Sequence, residues 1–172
     1  MRTTLQTPQL SKALSLLKKV SSKTKVDPFN WVKLRADKHL KHLELQGTNG
    51  EVYLTILVPA EIEEGEACVE IVQLLEAINS TKSKYVELYT TDDKLVVSGG
   101  NISHKLILKP VEMFPVFPEP RFEASLPASI LYNGIEKTSF AVKKDKTVTG
   151  HLYIDGRGDH MRVVSSDGYR LA

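Results

Sequence analysis

The sequence contains a single cysteine, Cys68, among its 172 residues. One cysteine cannot form an internal disulfide, and no set of cysteines and histidines has the spacing of a zinc site. No stretch approaches the roughly 20 apolar residues of a transmembrane helix, and the first four residues lack the apolar run of a signal peptide. These absences predict a soluble protein of a reducing, cytoplasmic compartment, without a metal or another cofactor.

The charge is nearly balanced. The sequence has 23 lysines and arginines against 21 aspartates and glutamates, which leaves a net charge of +2. Total charge therefore gives no reason to expect a nucleic-acid partner, and any such argument depends on where the lysines lie. With 41% hydrophobic residues, the composition is that of an ordinary globular protein. The length allows one large domain, or one complete domain and part of another.

The sequence also lacks a recognisable catalytic set. No Ser/His/Asp combination has the context of a nucleophile elbow, and the five histidines are scattered. Asp92-Asp93 and the segment 155–159 resemble metal or phosphate loops, but both lie between predicted strands and no helix follows them. We therefore predict a protein without catalytic residues of its own.

Hydrophobic periodicity predicts most of the secondary structure. Residues 2–6 are strand-like, and Thr7-Pro8 is typical of an N-cap followed by the first helical residue. Leu10, Leu14 and Leu17 then fall on one face of a helix over about 8–20. Alternation predicts three strands between 31 and 58, a second helix over 69–79, and three more strands. We interpret the acidic segment 59–66 as a solvated loop.

This order predicts an α+β fold in which one β-α-β-β-β unit is used twice. Two helices would cover one face of an antiparallel sheet. The first domain would span 1–109, and the proline-rich segment 110–120 would be an extended linker.

The pattern restarts after the linker. A strand-like segment at 121–125 precedes Leu126-Pro127 and a third helix, and alternating runs follow at 138–143, 151–154 and 161–165. Pro8 and Pro127 are 119 positions apart, and Thr48 and Ser166 are 118 apart. Two agreeing landmarks indicate an internal repeat.

The second copy, 121–172, is incomplete by this reading. Only four residues follow Gly168, whereas about 55 follow the corresponding turn of the first copy. An open sheet edge would remain exposed. We expect this sequence to be part of a longer chain, or another chain to cover that edge.

Several segments together resemble the bacterial DNA sliding clamp, the beta subunit of DNA polymerase III. They are 47–52, Ser98-Gly99-Gly100, Phe114-Pro115 and above all 164–172, with the sequence Val-Ser-Ser-Asp-Gly-Tyr-Arg-Leu-Ala. The resemblance covers the first domain and about the first 50 residues of the second. It implies a ring of two three-domain chains that encircles duplex DNA, lined by helices, and that tethers the replicative polymerase. The family's third domain, and with it half of the ring-closing contact, has no counterpart here.

A sliding ring needs a positive inner surface that contacts phosphates without reading sequence. The loops at 23–25 and 143–146 match the positions where the family touches DNA. The candidate DNA-binding residues are all lysines: Lys12, Lys18, Lys19, Lys23, Lys25, Lys137, Lys143, Lys144 and Lys146. The alternative is that these lysines form an ordinary solvated face.

The terminal motif matches the family's pocket for an extended peptide with apolar anchors, carried by polymerase and clamp-loader subunits. The residues implied are Ser166, Gly168, Tyr169, Arg170 and Leu171, with Val148 and Leu152 as additions to the wall. The alternative is that Asp167-Gly168 is a hairpin turn and Tyr169 a core aromatic. At the level of the whole chain, the alternative function is a clamp-fold protein-interaction module that does not encircle DNA.

Overall fold

The computed structural model describes residues 1–21, 26–37, 39, 41–119, 125–143, 148–157 and 160–172. The chain divides into two compact units, Met1–Pro118 and Glu119–Ala172. The elements of the first unit are β1 Arg2–Gln6, α1 Thr7–Val20, β2 Trp31–Ala36, β3 His42–Thr48, β4 Tyr53–Pro59, β5 Glu61–Glu63, β6 Gly65–Glu70, α2 Ile71–Thr81, β7 Tyr85–Thr90, β8 Lys94–Gly99 and β9 Ile102–Ile107.

The predicted β-α-β-β-β unit is present twice in this first unit. It forms once as β1-α1-β2-β3-β4 and again as β6-α2-β7-β8-β9, with β5 between them. The strands form two antiparallel sheets rather than the single sheet we predicted. Their orders are β5-β1-β7-β8-β9 and β4-β3-β2-β6. Each sheet therefore contains the three consecutive strands of one copy and the first strand of the other.

The exchange of first strands makes the two copies interdependent. Thr4 of β1 lies opposite Glu87 of β7, and Val32 of β2 lies opposite Val69 of β6. Each helix follows its exchanged strand directly and buries its apolar face. The α1 side chains Leu10, Leu14 and Leu17 and the α2 side chains Leu74 and Ile78 all belong to one core. Ser11 of α1 donates a hydrogen bond to Asn79 of α2 at 2.8 Å, so the first half of α1 lies beside the last turn of α2.

The prediction of an acidic loop at 59–66 is wrong. β5 and the start of β6 occupy this segment, and Ile62 of β5 lies opposite Thr3 of β1. The glutamates at 61 and 63 are exposed while Ile62 between them is half-buried. An edge strand with charges on its outer face has the composition of a loop, which explains the error.

The proline-rich segment after β9 packs on the first unit. It contains a short 3₁₀ turn, Val111–Met113, and buries Phe114 beside Trp31 and Cys68. Phe117 contacts the ring of Tyr53 edge-on, with the ring centroids 5.1 Å apart.

The second unit contains α3 Ala128–Thr138, two 3₁₀ turns and the antiparallel pair β10 Leu152–Arg157 and β11 His160–Ser165. The predicted strand at 121–125 falls almost entirely outside the described residues. The predicted strand at 138–143 is wrong, because Ser139–Ala141 forms a 3₁₀ turn that continues α3. Thr138 and Ser139 donate side-chain hydrogen bonds to the carbonyls of Gly134 and Glu136, which favours this helical continuation over an extended strand.

Candidate nucleic-acid and partner-binding surfaces

The first candidate surface is the outward face of α1. Its inward face is fixed by the burial of Leu10, Leu14 and Leu17, so the lysines at other helical positions face solvent. Lys12, Lys18 and Lys19 are all exposed, and the last two lie in the final turn of the helix. Cations are favoured there by the helix dipole.

The α1 lysines form no ion pair with the residues that the structure describes. In the described part of the chain, no carboxylate lies within ion-pair distance of these three ammonium groups; Lys33, Lys94 and Lys109, by contrast, each pair with an acidic side chain. The outward face of α1 therefore presents three exposed lysines that no described carboxylate offsets.

The other predicted DNA-binding lysines are only partly described. Lys137 is exposed in the last turn of α3, and Lys143 is exposed with its backbone N–H bonded to the carbonyl of Thr149 at 3.1 Å. The remaining four, Lys23, Lys25, Lys144 and Lys146, lie outside the described residues.

The first of the two repeated turns joins β3 to β4. Thr48 accepts a hydrogen bond from the Gly50 N–H at its side-chain oxygen, 3.0 Å away. The Oδ1 of Asn49 accepts from the N–H groups of Glu51 and Val52, at 3.0 and 2.8 Å. Gly50 has φ of 90°, a left-handed conformation that favours glycine.

The second turn repeats this geometry 118 positions later. Ser166 accepts a hydrogen bond from the Gly168 N–H at 3.2 Å, and Gly168 also has φ of 90°. The Oδ1 of Asp167 accepts from Tyr169 and Arg170 at 3.0 and 2.8 Å. Leu171 lies opposite Ser166, as Tyr53 lies opposite Thr48. The two turns therefore share their pattern of hydrogen bonds and pairing.

The second turn carries an ion pair that the first lacks. Arg170 donates from Nε and Nη2 to the Oδ2 of Asp167, at 2.9 and 2.6 Å. The side-chain hydrogen bond from Arg170 is the main reason that the pKa of Asp167 falls to about 2, with smaller contributions from the backbone N–H groups of Arg170 and Tyr169. The guanidinium lies over the ring of Phe140, 5.8 Å from its centre.

The apolar residues of this turn face solvent. Tyr169 is 96% exposed and Leu171 is 78% exposed, so Tyr169 is not a core aromatic. Leu152 is half-buried in β10 and lies opposite Ser165, the residue that directly precedes the turn. Leu152 and the turn therefore lie at the same end of the hairpin. Val148 begins a 3₁₀ turn, and its side chain lies outside the described part of the structure.

Two contributors to this surface were not predicted from the sequence. Phe140 lies under Arg170, and Asp167 holds the guanidinium in addition to forming the turn. Phe140 falls in the segment that we interpreted as a strand, so its position could not be inferred. The Asp-x-x-Arg spacing was the available signal for the ion pair.

Two further properties concern only the described residues. They include no group of three or more His, Cys, Asp or Glu side chains that could hold a metal ion. Among their helices, none combines the length and the apolar character needed to cross a membrane.

The paired β-α-β-β-β copies, with helices on antiparallel sheets, define a protein of the DNA-clamp fold class. The model of the DNA polymerase III beta subunit, N-terminal domain, matches residues 1–118. This chain belongs to the DNA polymerase III beta subunit family, the bacterial sliding clamps.

Individual relatives agree with this assignment. The beta sliding clamp of Treponema pallidum (strain Nichols) is 32% identical over 161 residues, which are 89% of this chain and 43% of the relative. That of Buchnera aphidicola is 29% identical over 136 residues, 75% of this chain and 37% of the relative. The crystal structure of the DNA polymerase III subunit beta from Pseudomonas aeruginosa matches with a TM-score of 0.88 at 28% identity, over 99% of this chain and 48% of that one. The chain thus spans less than half the length of these relatives.

Proposed function

We propose that this chain forms the first domain and part of the second domain of a processivity clamp. The clamp would encircle duplex DNA, tether the replicative DNA polymerase, and act as a cytoplasmic replication factor without catalytic residues of its own. The observation that carries the proposal is the exposed lysine face of α1, which has no ion pair among the described residues, on a domain whose family model and fold are those of the clamp.

The charge of this face fits a sliding contact. Lysines attract phosphates as point charges without requiring one geometry, so the contact is independent of sequence and easily exchanged along the duplex. Lys137 and Lys143 are exposed in the second unit and are proposed as separate contacts to phosphates, and the four lysines outside the described residues are proposed on the resemblance alone.

The triple variant Lys12→Gln, Lys18→Gln and Lys19→Gln tests this surface. We expect weaker binding to a random duplex and a shallower plot of log affinity against log salt, by roughly 0.9 for each phosphate that the variant no longer neutralises. A variant with the same change in charge, Lys41→Gln, Lys84→Gln and Lys94→Gln, removes lysines in or beside strands and serves as the control. Equal salt slopes for the two variants would refute the assignment of the α1 face.

The terminal turn is the proposed site for partner proteins. Tyr169 and Leu171 are exposed apolar side chains beside a fixed guanidinium, a combination suited to an extended peptide with apolar anchors and a carbonyl to accept a hydrogen bond. Ser166 and Gly168 shape the turn, and Leu152 and Val148 would extend the wall.

A fluorescent peptide carrying the clamp-binding segment of a polymerase III subunit tests this site by anisotropy. Tyr169→Ala should weaken binding about tenfold, because exposed aromatic anchors commonly dominate interface energies. Glu51→Ala changes the corresponding position of the first turn and should leave the affinity unchanged. Equal effects of the two substitutions would exclude the terminal turn as the site.

Self-association into a ring is supported by one edge of the first unit. Among the described strands, β9 is the last of its sheet on one side, and it exposes Ile102 and Ile107. An uncovered edge strand with apolar side chains is a template for pairing with another chain.

The second candidate function is a clamp-fold interaction module that does not encircle DNA. The exposure of Tyr169 and Leu171 favours it, because this surface needs no ring to bind a peptide. Such a module would bind the peptide with the same affinity but would show no dependence on DNA topology.

A further inference from the structure

The repeated turns give an internal comparison at the position of Asp167. Its counterpart in the first turn is Asn49, and each residue uses one oxygen, Oδ1, to accept two backbone N–H groups at nearly the same distances. The neutral amide of Asn49 is therefore sufficient to form this turn. The negative charge of Asp167 is not required by the turn itself.

The second oxygen of Asp167 has a different use. Its Oδ2 accepts both hydrogen bonds from Arg170, whereas the counterpart of Arg170 in the first turn is Val52, which has no donor in its side chain. The carboxylate thus occurs where the residue three positions later is an arginine, and the amide occurs where it is not. The Asp167 side chain is only 14% exposed, whereas that of Arg170 is 61% exposed. The carboxylate is therefore shielded from solvent, and the guanidinium faces it.

Phe140 restricts the guanidinium from another element. Its ring belongs to the 3₁₀ turn after α3 and lies 5.8 Å from the Arg170 guanidinium carbon. A free arginine side chain samples many rotamers, and the entropy given up when binding orders that side chain reduces affinity. The guanidinium of Arg170 is therefore contacted from two different segments of the chain.

We propose that Asp167 is a positioning residue that orders Arg170 for the partner peptide. The Nε–H group and one N–H of Nη2 form hydrogen bonds to Asp167. The other N–H groups of Arg170 are left for a neutral acceptor such as a peptide carbonyl. Because the pair has no net charge, it gives an acidic peptide no advantage. This inference rests on the proposed partner-binding function of the terminal turn.

The ionisation of Asp167 supports this role across the working range of pH. Its pKa is lowered from 3.8 to about 2, first by the side chain of Arg170. A lowered pKa in the folded state means that the contribution to stability is complete above pH 3.8 and is lost only as the pH falls towards 2. We therefore expect the ordering of Arg170 to be constant between pH 5 and pH 8.

The first test needs no peptide. In the ¹⁵N-labelled full chain, we expect the Nε–H proton of Arg170 to exchange with water about threefold to tenfold more slowly than that of the exposed Arg162. Asp167→Asn should abolish this difference and leave the backbone amides of Tyr169 and Arg170 protected, as Asn49 protects the first turn. The proposal is overturned if the Nε–H proton stays protected in this variant, or if the backbone amides lose protection with it.

The second test is a double-mutant cycle with the fluorescent clamp-binding peptide. Asp167→Asn should weaken binding about threefold to tenfold, and it should have no further effect when Arg170→Met is already present. The matched control Asn49→Asp makes the reverse change in the first turn and should leave the affinity unchanged. Additive effects of the two substitutions would overturn the positioning role.

The two tests separate the two hypotheses. If the unmodified chain fails to bind the peptide while the Nε–H proton of Arg170 is protected by Asp167, the partner-binding function fails and the ordering of Arg170 stands. If the peptide binds and the proton is not protected, the function stands and the positioning role is wrong.

Discussion

The two units contain the same turn in very different surroundings. The turn at 48–53 connects strands whose sheet packs on a helix with a fully buried apolar face, whereas the turn at 166–171 follows a hairpin beside a helix whose only buried side chain is that of Thr138. The hydrogen bonds of the two turns correspond, although burial around them differs. A turn of this kind is determined by its own six residues, while burial depends on distant strands.

The exchange of first strands explains the difference in burial. In the first unit, β6 through β9 and α2 follow the first copy and complete both sheets and the core. In the second unit, the described residues include one helix and two strands, which leaves Ile130 and Ile135 of α3 exposed. A single β-α-β-β-β copy has too few strands to cover its own helix.

Removing an apolar side chain from the main helix of each unit should give the largest difference in stability between the two units. Leu14→Ala in α1 removes a side chain with no exposed surface and should lower the free energy of unfolding of the first unit by about 2–5 kcal/mol. Ile135→Ala in α3, where the side chain is 39% exposed, should cost about 1 kcal/mol or less. Native-state hydrogen exchange measures both units in one sample. Comparable losses would show that α3 is buried as deeply as α1.

The reactivity of Cys68 provides a second contrast. Burial raises the pKa of this thiol to about 12 against the partly opposing effects of Lys33 and Lys109. We expect alkylation by iodoacetamide at pH 8.5 to be at least about 100-fold slower than for a free cysteine, because the thiolate is the nucleophile. A cysteine placed in the second unit by Ser139→Cys, at an exposed position, should react at an ordinary rate. Fast alkylation of Cys68 in the folded chain would contradict its place in the core.

The raised pKa also sets the sign of the pH dependence. The folded state holds the Cys68 proton more tightly than the unfolded state, so this group's contribution to stability is complete below pH 9 and is lost as the pH rises towards 12. Cys68→Ala should therefore flatten the decline of stability above pH 9, as measured by urea unfolding followed through Trp31 fluorescence.

The turn glycines should show the smallest difference between the units. Gly50→Ala and Gly168→Ala both force a side chain into a left-handed conformation, and each should cost about 1–2 kcal/mol in the local opening energy of its hairpin. Gly156→Ala is the control, because a Cβ there meets no atom within 4 Å and the backbone is not left-handed. A difference of more than about 1 kcal/mol between the two turn variants would break their equivalence.

Prediction from sequence succeeded where the determinants are local. The periodicity of Leu10, Leu14 and Leu17 gave α1 to within a residue of its start, and the spacing of Thr48 and Ser166 identified two turns that share their hydrogen bonds. The pairing of strands that are far apart in the sequence has no such local signal. The pairing of β1 with β7 joins Arg2–Gln6 to Tyr85–Thr90, far apart in the sequence, and neither strand's pattern reveals that it crosses to the other copy.

At the candidate site, too, the local features could be predicted from the sequence and the long-range contacts could not. The exposure of the α1 lysines follows from the helical pattern, and the turn follows from Asp167-Gly168. The contact between Arg170 and Phe140 joins a hairpin end to a 3₁₀ turn 30 positions earlier, and that turn depends on side-chain hydrogen bonds of Thr138 and Ser139. The proposed DNA-binding loops at 23–25 and 143–146 remain predictions.

The topology of bound DNA is the most direct test of the proposed clamp. The full chain is incubated with nicked circular duplex, or with the same duplex after linearisation, and passed through a sizing column at a salt concentration that releases simple electrostatic binding. Light scattering of the retained fraction gives the number of chains. We predict that a closed clamp that contains this chain stays on the circle and is lost from the linear duplex through its ends. Equal loss from the two forms would contradict encirclement and leave the interaction module as the function of this chain.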